Sequence, residues 1–339
     1  MISFATPRLH ISETCSYIRE RVATLTQRVS EAASYIFRIL QEVLYFPLRY
    51  RGPKPGTAPE ESSYKNPSKE ELEQYLPYAC AAAYIWNMNP KIKLPGLENV
   101  PLTDVLSEET LKTLGVTIQE KTDDGNKVWY FLDEKTELSA TLLTRNNEWI
   151  LAFGALGAVD RKKGMFSWAT VALSILGFNP KLFQQADKLT AAVCEKAKQE
   201  GKSLTLVGHC YGAALAGYAA LRNDQPAVRL NPFPLGAGQQ HYIGTERLQN
   251  ATKQIINIRA EGDFLDWKIY SHLDNLATFL RIRTPGNFGC HYRIPSAKEY
   301  VGSSDKCHGF ILGSIMENLG HNCRTLPCNI TQTEFPSTL

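Results

Sequence analysis

The stretch Leu204-Thr205-Leu206-Val207-Gly208-His209-Cys210-Tyr211-Gly212-Ala213-Ala214-Leu215-Ala216 constrains this chain more than any other. A short, mostly apolar run reads as a buried strand, and the Ala-rich run after it reads as a helix. Only Gly-x-Cys-x-Gly lies between them to reverse the chain. A residue held in a strained conformation at such a turn leaves no room for side chains two positions to either side, hence Gly208 and Gly212. The helix that follows aims its unpaired N–H groups and its dipole at the turn and favours an anion there. Small Ala213, Ala214 and Ala216 let that helix lie close to the strand. This is the context of a nucleophile elbow, with Cys210 as the nucleophile. An ordinary strand-to-helix turn with a buried cysteine is the alternative.

The surrounding chain alternates in the same way. Strands are expected at Val128–Leu132, Ala140–Thr144, Trp149–Phe153, Leu204–Val207, Val228–Leu230, Ile255–Ile258 and His291–Ile294, with a turn at Asn146-Asn147. Helices are expected from the capping box Ser68-Lys69-Glu70-Glu71 to Trp86, over Phe183–Gln199 and over Ala213–Leu221. Such alternation predicts an α/β fold with a mostly parallel central sheet covered by helices. Ahead of it, Ile18, Val22, Leu25, Val29, Ile36, Ile39 and Val43 form one stripe of an amphipathic helix, punctuated by Arg19, Arg21, Arg28 and Arg38. That helix is expected to pack on its own domain or on a second copy, with a membrane surface as the other reading. The expected organisation is an N-terminal helical extension over 1–50, a Gly/Pro-rich linker over 51–67, a catalytic domain over 68–322 and a tail over 323–339.

Composition excludes several function classes. Of 339 residues, 43% are hydrophobic and 21% charged, which rules out wholesale disorder. A net charge of +3 is too small for a nucleic-acid footprint. No run is long and apolar enough for a membrane span, and Met1–Tyr17 lacks the apolar core of a signal peptide. A cytoplasmic protein, or one exported without a signal peptide, is therefore expected. Eight cysteines are too few for a disulfide scaffold at this length. Cys290-His291 and Cys307-His308 match no common zinc spacing, so no metal and no cofactor is expected.

The run Leu206-Val207-Gly208-His209-x-x-Gly212-Ala213-Ala214-Leu215-Ala216 resembles the signature of class 3 lipases and their lipase-like relatives, which carry an α/β-hydrolase fold. The resemblance spans Trp149 to His308. It departs from the family mildly at Tyr211 and Ala213, and sharply at Cys210, which replaces a nucleophilic Ser. The family's order of nucleophile, acid, histidine implies Asp263 as the acid, after the strand-like Ile255–Ala260, with Asp266 next in line. It implies His308, on a late loop, as the base, with His291 as the rival; His209 is read as structural. The oxyanion hole would combine the Tyr211 N–H with one from Gly154 or Ala155, where the family's Arg and Thr are missing. Met165–Leu176 stands where lipase-like proteins carry a lid, and an ordinary core helix is the other reading.

The resemblance thus implies a lipase-like acyl hydrolase acting on carboxylic esters or thioesters through Cys210, His308 and Asp263, with a thioester intermediate. The implied partner is an acyl ester or lipid, with peripheral membrane contact through the N-terminal helix or lid. The alternatives are an acyltransferase or cysteine peptidase with the same triad, or a degenerate hydrolase domain kept as a binding module. A deliberate Ser→Cys replacement that weakens or traps a serine enzyme is a further alternative.

Overall fold

The computed structural model describes residues 64–87, 96–123, 126–133, 136, 138–154, 173–174, 178–263, 265, 285–303, 307, 309 and 311–321. The chain divides into two units, Met1–Arg51 and Gly52–Leu339, and every described residue belongs to the second. The expected N-terminal helix lies outside the described residues. So does the expected lid, apart from Leu173 and Ser174.

Nine strands form one sheet among the described residues: β1 (Glu98–Asn99), β2 (Thr117–Asp123), β3 (Asn126–Asp133), β4 (Leu138–Arg145), β5 (Glu148–Phe153), β6 (Ser203–His209), β7 (Ala227–Leu230), β8 (Ile255–Ala260) and β9 (Cys290–Ile294). The order from β2 to β9 follows the chain, and β1 pairs with β4. Strands β2 to β5 meander antiparallel, and β5 to β9 are parallel throughout. The switch falls where the β4–β5 turn at Asn146-Asn147, with Asn146 at φ 52°, gives way to longer crossovers. Parallel neighbours need a connection of a dozen or more residues, and from β5 to β8 described helices lie in each of those connections.

Among the described residues the α-helices are α1 (Lys69–Asn87), α2 (Glu108–Leu114), α3 (Lys181–Gln199), α4 (Tyr211–Asn223), α5 (Ala237–Ile243), α6 (Thr245–Gln249) and α7 (Ile311–Asn318). The expected capping box opens α1: Ser68 N–H donates to Glu71 at 2.8 Å, and Glu71 N–H donates to Ser68 Oγ at 3.2 Å. Glu71 also accepts from Tyr292 Oη on β9 at 2.8 Å, which ties the start of α1 to the sheet edge.

Side-chain alternation along the strands builds a core on each face. Leu151, Phe153 and Leu206 face α3 and α4, together with Phe183, Leu189, Leu215 and Tyr218. Ile150, Ala152 and Val207 point the other way, with Ile85 of α1 and Ile315 of α7. Buried on both faces, the parallel strands carry apolar side chains almost continuously, which is why they were readable as short apolar runs. Helices on both sides of a parallel half-sheet, with a sharp turn after its first inner strand, make this an α/β-hydrolase-like fold. Lys65, inside the stretch read as a linker, bridges β9: its N–H donates to His291 O at 2.9 Å, and Arg293 N–H donates to its carbonyl at 3.0 Å.

Candidate active site

Cys210 lies at the junction of β6 and α4 with φ 55° and ψ −121°, a conformation L-residues rarely adopt. Three hydrogen bonds hold it there. Its N–H donates to Leu230 O at the end of β7 (3.0 Å), and its carbonyl accepts from Ala213 N–H and Phe233 N–H (3.1 Å each). The two flanking glycines are required by contact. A methyl group at Gly208 would overlap the Gly212 carbonyl and come within 2.6 Å of Ala213 N; one at Gly212 would overlap Phe153 O and approach Gly154 O to 3.0 Å. Cys210 itself is half-buried.

Asp263 follows β8 after the turn at Glu261-Gly262, where Gly262 takes φ 76°. It is buried, its N–H donates to Ala260 O at 3.3 Å, and its Oδ1 accepts Leu265 N–H at 3.0 Å. His308, Ala155 and Asp266 lie outside the described residues. Cys307, immediately before His308, is buried. A Cβ on Gly262 would sit 3.6 Å from its sulfur, so the residue preceding the candidate histidine stands against the turn that leads to the candidate acid.

His291 stands elsewhere. Register places it level with Gly208 through Arg229 and Asn257, three strands away. At about 4.8 Å per strand that is roughly 14 Å sideways, too far for a hydrogen bond to the turn at Cys210. Its ring packs edge-on against Tyr64 at 5.5 Å. Burial, and then the Arg229 and Arg259 guanidinium groups, push its pKa from 6.5 down to about 4. As pH falls, the unfolded chain therefore takes up the proton before the folded one does. The contribution of His291 to stability is complete above about pH 6.5 and is lost progressively towards pH 4. Replacing His291 with Gln is expected to flatten the acid limb of stability by on the order of 2 kcal/mol, measured as the urea midpoint against pH. An unaltered slope would show that His291 does not cause it.

The described oxyanion-hole candidates differ in what their N–H groups already bond. Gly154 N–H donates to Ser139 O at 2.9 Å, extending the β4–β5 ladder. Ala155, the other candidate from that loop, has an N–H outside the described residues. Tyr211 is the first residue of α4, so its N–H has no carbonyl one turn back within the helix. Its side chain points into the core, between Phe183 and Phe233, and its hydroxyl meets Ser174 Oγ at 2.6 Å. Burial pushes the Tyr211 phenol up, so it stays protonated.

Sequence reasoning missed two buried polar residues, Arg229, which bonds the helix of the elbow, and Asn231. Arg229 of β7 is fully buried; it donates from Nε to Ala213 O (2.8 Å), from Nη2 to Phe233 O and Asn287 Oδ1 (2.8 Å each) and from Nη1 to Asn257 Oδ1 (3.0 Å). It thus binds the first turn of α4 to β8 and to the segment before β9. Asn231, just past the end of β7, is buried at φ 40°. The Asn231-Pro232 dipeptide is a turn signal that could have drawn attention to it. Among the described residues, no three His, Cys, Asp or Glu side chains gather as a metal-binding group, and no helix is long and apolar enough to cross a membrane.

No family model and no curated protein matches this chain. Among solved structures it is similar to the Rhizomucor miehei lipase propeptide complex, at 14% identity and a TM-score of 0.40, covering 81% of this chain and 92% of that one. It is also similar to a triacylglycerol lipase from Penicillium expansum, at 14% identity and a TM-score of 0.32, covering 69% of this chain and 82% of that one.

Proposed function

We propose that this chain is a lipase-like acyl hydrolase that cleaves carboxylic esters or thioesters with Cys210 as nucleophile, His308 as base and then acid, and Asp263 orienting His308. The observation that carries the reading is the backbone of Cys210, held at φ 55° between two glycines whose contacts admit no side chain. Strain of this kind persists only where surrounding structure enforces it, and it raises one side chain above the ends of parallel strands.

In the proposed reaction His308 takes the thiol proton, and the Cys210 sulfur attacks the acyl carbon. The oxyanion is met by the N–H groups of Tyr211 and Ala155. Collapse breaks the bond to the leaving alkoxide or thiolate, which takes the proton from His308, and a thioester remains. Water, deprotonated by His308, releases the acid and restores the thiol. Peripheral contact with a lipid surface, through the Ser16–Tyr45 stretch or the Met165–Leu176 segment, belongs to the same proposal.

The reading is tested by the rate at which iodoacetamide alkylates Cys210. A sulfur paired with an imidazole should react about 10-fold or more faster at pH 6 than a free thiol. Reaction no faster than a free thiol would favour a binding module. A thioester intermediate can also pass its acyl group to an added alcohol or amine. Product dominated by that transfer, rather than by free acid, would favour the acyltransferase alternative.

A further inference from the structure

We propose that Asn231 is a positioning residue that fixes the relative placement of all three catalytic loops; this rests on the proposed Cys210–His308–Asp263 reading. Strand β7 lies between the strand that delivers the nucleophile and the strand that delivers the acid. Its last residue, Leu230, takes the Cys210 N–H on its carbonyl at 3.0 Å. Asn231 follows at once, with none of its surface exposed and φ at 40°, a left-handed turn that Asn tolerates better than other residues with side chains.

That turn brings its carboxamide back over the strand ends. Its backbone N–H still donates to Ile258 O at 2.9 Å, so the β7–β8 ladder continues through it. Its Oδ1 accepts Ala260 N–H at 2.9 Å, at the last residue of β8 and three positions before Asp263. Its Nδ2 donates to Cys307 O at 3.0 Å, one position before His308. One planar group thus holds the acid's strand end with its acceptor and the histidine's loop with its donor, while the preceding residue holds the nucleophile's N–H.

No other small side chain offers a donor and an acceptor in that geometry. Asp could still accept from Ala260 N–H but would set a carboxylate oxygen against the Cys307 carbonyl. Ser could make one of the two bonds. A misplacement of about 1 Å in such an arrangement costs on the order of 100-fold in rate.

The test compares the pH profile of Cys210 alkylation by iodoacetamide in the full chain and in Asn231→Asp, Asn231→Ser, His308→Ala and Asn231→Ser/His308→Ala. Loss of His308 should abolish the reactive limb below the pH where a free thiol ionises. Asn231→Asp should lower the rate at pH 6 by about 10- to 100-fold and move its profile towards that of His308→Ala. Asn231→Ser is read in its place if the Asp variant does not fold. The double variant should be no slower than His308→Ala alone, which a merely structural weakening would not produce.

If His308→Ala removes the limb while the folded Asn231 variants keep the parent profile, Asn231 is not a positioning residue and the catalytic reading stands. If His308→Ala leaves the parent profile intact, the sulfur–imidazole pairing is wrong, and the role of Asn231 falls with it.

Discussion

Replacing Cys210 with Ala is expected to lower turnover of an activated acyl ester by on the order of 10⁵-fold while leaving the fold intact. The loss is large because no other group in the turn can form the covalent intermediate. What would remain is the stabilisation that the N–H groups and substrate binding supply alone. The fold should survive because the features that enforce the turn are the two glycines, the Leu230 carbonyl and the Arg229 clamp, none of which involves the sulfur. Far-ultraviolet circular dichroism and the urea midpoint should therefore match the parent while the initial rate collapses. A variant that still turns over at the parental rate would remove Cys210 from the reaction.

Gly208→Ala is expected to do the opposite, and to cost about 3 kcal/mol or more of stability. The added carbon has no flexible side chain to displace. It meets the carbonyl of Gly212 and, at 2.6 Å, the nitrogen of Ala213, so relief would require α4 to back away from β6. The control is Gly201→Ala. Unlike Gly208, that glycine has a left-handed φ, 67°, and nothing lies within 4 Å of the site of its missing side chain. Its cost should be confined to backbone strain, about 1 kcal/mol. Urea denaturation of the two variants separates contact from conformation; equal costs would mean that the close approach of α4 to β6 is not what Gly208 serves.

These expectations draw on a segment whose structure the sequence carried openly. Gly208, Cys210 and Gly212 were readable because steric exclusion leaves a mark in residue type. The parallel strands were readable because burial on both faces leaves uninterrupted apolar runs. The capping box of α1 was readable because Ser68 and Glu71 satisfy each other locally.

Other elements were missed for identifiable reasons. Strand β2, Thr-Ile-Gln-Glu-Lys-Thr-Asp, ends the strand order and carries the polar, charged composition that suits an edge strand, so apolar periodicity is weak there. Helix α2 is short, yet its signals were present: Ser107 caps it by accepting Thr110 N–H at 3.2 Å, and Gly115 ends it at φ 70°.

The site divides along the same line. A residue's place in the chain suggested Asp263, but only strand register separates His291 from the elbow, because lateral distance across a sheet has no trace in sequence spacing. The commitment of Gly154 N–H to Ser139 and the reach of Asn231 to Ala260 and Cys307 are long-range hydrogen bonds, invisible until the chain is folded.

The central claim is that Cys210 attacks an acyl carbon. It is tested most directly by intact-mass and peptide-mapping mass spectrometry of the protein quenched in acid during turnover of a chromogenic acyl ester. The account predicts one acyl group per chain, on the peptide containing Cys210, labile to hydroxylamine as a thioester is, and absent from Cys210→Ala. An acyl group carried on any other residue, or ester hydrolysis at the same rate in Cys210→Ala, would contradict it.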